Sequence, residues 1–161
     1  MFKKLFGRKG KNEGFNGLQE PIFPEGPFAV SQISDESGFY GISNVNRGYN
    51  HYPNKKYFPW CVQLTIEFQN TNENGMPNDM ESEILDDIEA KIEGFIAAKH
   101  KMHFIGRVTR KSFRDVIFYV DSPNFGEAYT NEILDGINKI RRINFSVEND
   151  PNWNFVSGLL N

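Results

Sequence analysis

WCVQLTIEFQ, residues Trp60 to Gln69, is the stretch on which the fold turns. Trp60, Val62, Leu64, Ile66 and Phe68 alternate with Cys61, Gln63, Thr65, Glu67 and Gln69, a period of two that predicts a strand with one buried face. Downstream, an Asn-rich turn with Gly75 and Pro77 leads to Asn78, which stands three residues before Glu81, the spacing of a capping box. Ile84, Leu85, Ile88, Ile92, Phe95 and Ile96 then recur at helical spacing. Asp79, Glu81 and Glu83 crowd the first turns and Lys99, His100 and Lys101 close the helix, an order that complements the helix dipole. The acids of this helix read as a solvated face.

Two strands follow, at about 102–110 and 113–120, joined by the polar turn Lys111-Ser112. Strict alternation puts Met102, Phe104, Gly106 and Val108, with Val116, Phe118 and Val120, toward the helices. Ser122-Pro123-Asn124 predicts a helix start, and Tyr129, Ile133, Leu134, Ile137 and Ile140 trace its apolar stripe. A last strand alternates Ile143, Phe145 and Val147. The order β-α-β-β-α-β predicts an α+β fold of the ferredoxin-like kind, an antiparallel sheet with both helices on one face. Upstream, Phe28–Ile33 and Phe39–Val45 are β-leaning runs that suit a hairpin, and 46–59 is a loop rich in aromatics. The expected organisation is a basic flexible tail over 1–20, an N-terminal β/loop extension over 21–58 that packs on the domain, and a ferredoxin-like domain over 59–161.

Several of these residues carry a likeness. Asn74-Gly75-Met76-Pro77 with Glu81, Leu85, Ile88 and Glu89, then Gly106-Arg107-Val108-Thr109, Arg114 and Phe118-Tyr119, and later Asp150, Trp153 and Leu159, together resemble domain-of-unknown-function family 695 over about residues 45–160. The resemblance implies a fold similar to that of the small bacterial proteins that bind and inhibit ribonuclease E. It implies no activity and brings no catalytic motif.

Composition bounds the function. The chain has 161 residues, 39% hydrophobic and 24% charged with 15 Phe, enough for a core and far from disordered or fibrous composition. It contains no apolar run of the roughly 20 residues that span a bilayer. One cysteine, Cys61, allows neither an internal disulfide nor a multi-cysteine zinc site and fits a reducing, cytoplasmic compartment. Residues 1–12 carry Lys3, Lys4, Arg8, Lys9 and Lys11 with no acid, while the remainder holds 13 bases against 21 acids. The tail reads as a solvated terminus, and contact of its Phe2, Leu5 and Phe6 with an anionic membrane is the weaker reading.

Motifs of known chemistry are scarce. Asn70, Asn72, Asn74, Gly75 and Glu81 fall at calcium-loop positions, but the first is a neutral Asn, Pro77 interrupts the loop and a strand precedes it, so a plain turn is expected. Cys61 has no neighbouring base in sequence and reads as a small packed residue. His100 and His103 straddle a helix end and a strand start, which favours capping and surface roles over a metal pair. The chain has no Gly-rich phosphate loop, nucleophile elbow or His-Glu-x-x-His run. Neither cofactor nor metal is expected. What remains is the sheet face away from the helices, onto which alternation places Glu67, Arg107, Thr109 and Tyr119. These are the candidate binding residues, with occlusion of that face by the extension expected to compete. An acidic body disfavours nucleic acid. The expected function is a binding or regulatory module whose partner is another protein. The alternative is a small enzyme with Glu67, Arg107 and Tyr119 in a polar pocket between the extension and the sheet.

Overall fold

The 60–69 stretch forms strand β3 (Trp60–Glu67), with Val62, Leu64 and Ile66 wholly buried, in a computed structural model that describes residues 17–161. The remaining elements are β1 (Phe28–Asp35), β2 (Gly38–Asn46), α1 (Asp79–Ala97), β4 (Met102–Arg110), β5 (Phe113–Val120), α2 (Glu127–Asn138), β6 (Ile143–Asn149) and the short α3 (Ser157–Leu160). The fold is α+β, with one antiparallel sheet ordered β1-β2-β4-β5-β3-β6. It has six strands where the β-α-β-β-α-β reading provides four, because β2 pairs with β4 and carries β1 beside it. The hairpin thus lengthens the sheet instead of lying across it.

One face of β3, β5 and β4 packs on α1 and α2. Leu85, Ile88 and Ile92 of α1 and Ile137 of α2 meet Leu64 and Phe118 in this core. Asn78 caps α1 by accepting from the Glu81 backbone N–H at 2.9 Å. The Glu81 carboxylate does not complete the capping box: it accepts from Arg141 Nε at 2.6 Å and Nη2 at 2.7 Å. Helix α2 begins at Glu127, later than Ser122-Pro123-Asn124 suggests, because Phe125 is drawn into the core against Phe95 before the helix can start.

A second core covers the opposite face. Tyr49, Tyr52 and Phe58 from the loop after β2, with Trp153, Val156 and Leu160 from the C-terminal segment, pack on Ile105, Ile117 and Tyr119. Part of the expected occlusion therefore comes from residues 150–160 and not from the extension. His103 lies wholly buried among these rings, 2.9 Å from the Tyr49 hydroxyl through Nδ1, and burial pushes its pKa down to about 3. His100 is also enclosed, 3.3 Å from Asp121 through Nδ1. Both histidines are interior groups, which corrects the surface reading. Gln19 and Asn54 exchange hydrogen bonds of 2.9 and 2.7 Å. The rest of the expected tail, residues 1–16, lies outside the described residues.

The strict alternation expected of β4 fails at one point. Phe104 pairs with Phe118, but Gly106 pairs with Ile117, so Ile105 is the extra residue of a β-bulge and every later side chain changes face. Gly106 makes the bulge feasible, since a Cβ there would press on the Asn44 carbonyl oxygen and lie 2.7 Å from Val45 Cα. Gly106→Ala should cost about 3 kcal/mol in urea unfolding, because backbone and not a yielding side chain blocks the added methyl. A loss under 0.5 kcal/mol would show that β2 can move aside.

Candidate functional site

Beyond the bulge Arg107 lies opposite Val116 and Thr109 opposite Arg114, which places both on the helix side of the sheet. Alternation from the start of β4 had assigned them to the other face. Of the four residues expected together, Arg107 and Thr109 are neighbours. Glu67 stays on the second face, half exposed and 3.5 Å from Arg142. Tyr119 is closed off there, donating to Asp150 at 2.6 Å and stacking on Trp153 with ring centroids 4.1 Å apart. Burial, followed by the bond to Asp150, raises the Tyr119 pKa and keeps the phenol neutral. No polar pocket joins Glu67, Arg107 and Tyr119.

The residues around Arg107 form a different site. The β1-β2 hairpin reaches past the cover of α1 and α2, so its helix-side face stays open, with Phe28 49% and Val30 70% exposed. Between this hairpin and the Met76-Pro77 turn lies a groove of about 300 Å³, with Asn44, Arg107, Thr109 and Arg114 among its polar lining. Val30, Ile42, Met76 and Pro77 supply apolar surface. Such a mixture of an apolar lining with a few placed polar groups is what ligand sites require.

An ion-pair network runs along the lining. Arg107 Nη2 lies 2.9 Å from Glu89 Oε1, and Arg107 Nη1 lies 3.5 Å from Asp86 Oδ1. Arg114 Nη1 reaches the same Asp86 oxygen at 3.2 Å, and its Nε donates to Thr109 Oγ1 at 3.2 Å. Glu89 is 7% exposed. Burial raises its pKa against the opposing pull of Arg107 and Arg114. Glu89 is thus held by Arg107 and Glu81 by Arg141, where a solvated acidic face was expected, while Asp86 faces both guanidiniums from an exposed position.

Three buried atoms in this network have no hydrogen-bond partner: Asn44 Oδ1, Arg107 Nε and Glu89 Oε2. Leaving a buried polar group unsatisfied costs about 1–3 kcal/mol. Asn44 and Arg107 are directly opposite one another across β2 and β4, so the residues that carry an orphaned acceptor and an orphaned donor are cross-strand neighbours in the groove lining. Asn44 and Asp86 had no signal in the sequence. Gly106 did carry one, since an isolated Gly within a strand pattern marks a bulge, and applying it would have moved Arg107 to this face.

Fold and site together define an antiparallel α+β protein with a polar-floored groove where a projecting hairpin meets the helix layer. A family model of unknown function, DUF695, matches residues 31–160, and the chain belongs to that family. No curated protein and no solved structure matches the chain. Among the described residues, no helix is long and apolar enough to cross a membrane.

Proposed function

We propose that this protein is a binding module whose groove takes an extended segment of another protein. One observation carries the reading: Asn44, whose Oδ1 lacks a donor, and Arg107, whose Nε lacks an acceptor, are cross-strand neighbours in the lining of a groove flanked by the exposed Val30. A peptide group supplies both an N–H and a C=O, and apolar side chains flanking it would cover Phe28 and Val30. Burying apolar surface at about 25 cal/mol per Å² makes those two positions the main source of affinity, while the polar pair fixes register.

The reading also extends to the architecture. The order β4-β5-β3-β6, with α1 and α2 as the two crossovers, supports a ferredoxin-like unit to which β1 and β2 are added at one edge. A cytoplasmic location is supported by the single cysteine, which is buried and free.

Panning a random peptide library displayed on phage against the full chain tests the proposal. Peptides should enrich, and Val30→Glu and Asn44→Leu should each lower the affinity of the best one at least tenfold while the melting temperature holds. No enrichment, or peptides that bind both variants as well as the parent, would overturn it.

A further inference from the structure

We infer that Arg107 and Arg114 form a receptor for one carboxylate of the bound segment, an Asp or Glu side chain that takes the place now held by Asp86. The inference rests on the groove being a peptide site and adds to it the chemistry of the occupant.

Asp86 behaves as a stand-in. A single oxygen, Oδ1, bridges both guanidiniums, at 3.2 Å to Arg114 and 3.5 Å to Arg107, while the side chain remains 63% exposed. Charge-assisted N–H···O bonds are normally about 2.7–2.9 Å, the distance that Arg107 does reach to Glu89. The Asp86 contacts are therefore long, and their carboxylate could turn into water with little new hydration to gain or lose. The two arginines cannot leave in the same way, since Arg114 is 6% exposed and is tied to Thr109. Arg107 is held to Glu89 through Nη2 at 2.9 Å, so an incoming carboxylate finds the Nη1 donors of two guanidiniums already in place.

Charge selects which anion fits. Exchanging Asp86 for a ligand carboxylate keeps a single carboxylate bridging the two guanidiniums. A phosphate would bring close to two charges next to Glu89, with the Glu93 carboxylate also near enough to act on Glu89 and Arg107. Singly charged carboxylate on an otherwise apolar segment is the form that the groove accommodates.

The test compares the parent chain with Asp86→Asn, which keeps the size of the side chain and removes the competing charge. Peptides enriched from the library on the parent should share one Asp or Glu. Replacing that Glu with Gln in the best peptide should weaken binding at least tenfold. Asp86→Asn should bind the acidic peptide several-fold tighter and the Gln analogue equally well. Enriched peptides without an acid, a Gln analogue that binds as tightly, or an Asp86→Asn protein with unchanged or weaker affinity overturns the carboxylate receptor and leaves the peptide groove standing. Absence of enrichment on both proteins overturns the two together.

Discussion

Trp153→Ala should lower the stability of the fold by about 3–5 kcal/mol, the range for deleting a large buried aromatic. Trp153 is wholly enclosed, stacks on Tyr119 with an interplanar angle of 17°, meets Tyr52 at 5.3 Å between centroids and donates through Nε1 to the Phe58 carbonyl at 2.9 Å. It joins the C-terminal segment, the loop after β2 and strand β5 in one contact set. Its backbone sits at φ 57°, a left-handed conformation that costs a bulky residue energy and persists only because the surroundings hold it. The truncation leaves a cavity between three segments that cannot close independently of one another. Equilibrium urea unfolding measures the loss, and a value under 1 kcal/mol would mean that the second core collapses around the gap.

The other large effect is expected at Arg141. Its guanidinium grips both oxygens of Glu81, whose side chain is completely enclosed, and Arg141→Ala should cost about 3–5 kcal/mol by stranding a buried carboxylate. Asn70 Nδ2 at 2.9 Å and the Gln69 backbone N–H at 3.1 Å also donate to Glu81, so some compensation survives and the lower part of the range is the expected result. A pH signature distinguishes this pair from simple packing. Arg141, as the main cause, holds the Glu81 pKa down at about 2, below the ordinary 4.5. Stability from this depression is complete above pH 4.5 and is lost as the pH falls toward 2. The difference between parent and Arg141→Ala should therefore be constant near neutrality and shrink through that acid window. A gap that stays constant down to pH 2 would assign the loss to packing alone.

Local periodicity made β3 and α1 readable, because each obeys its own repeat: Val62 to Phe68 by twos, Leu85 to Ile96 by threes and fours. The first residues to escape were those whose position depends on a different strand. Ile105 leaves the pairing because Gly106 rests against the β2 backbone, and that contact crosses some sixty residues of chain. Glu81 looks like a capping residue from its neighbours and is claimed instead by Arg141, 60 residues away. The groove was illegible for the same reason. Its lining comes from β1, β2, the turn before α1, β4 and β5, and only the completed sheet puts Asn44 beside Arg107. The residues quoted for the family likeness, Arg107, Thr109, Arg114 and Glu89 among them, do meet in the network along this groove.

The second core has a bearing on how the chain is made. Synthesis delivers residues in order, from the N-terminus onward, yet Tyr49, Tyr52 and Phe58 rest on β4, β5 and Trp153, all of which come later. The β1-β2 hairpin likewise has no sheet to join until β4 has emerged. Those three aromatics and the inner edge of β2 are covered only after β4, β5 and residues 150–160 have been made. Cover for the second core is thus the last thing that the described residues supply to the sheet, and apolar groups of the N-terminal half wait on the C-terminal segment for it.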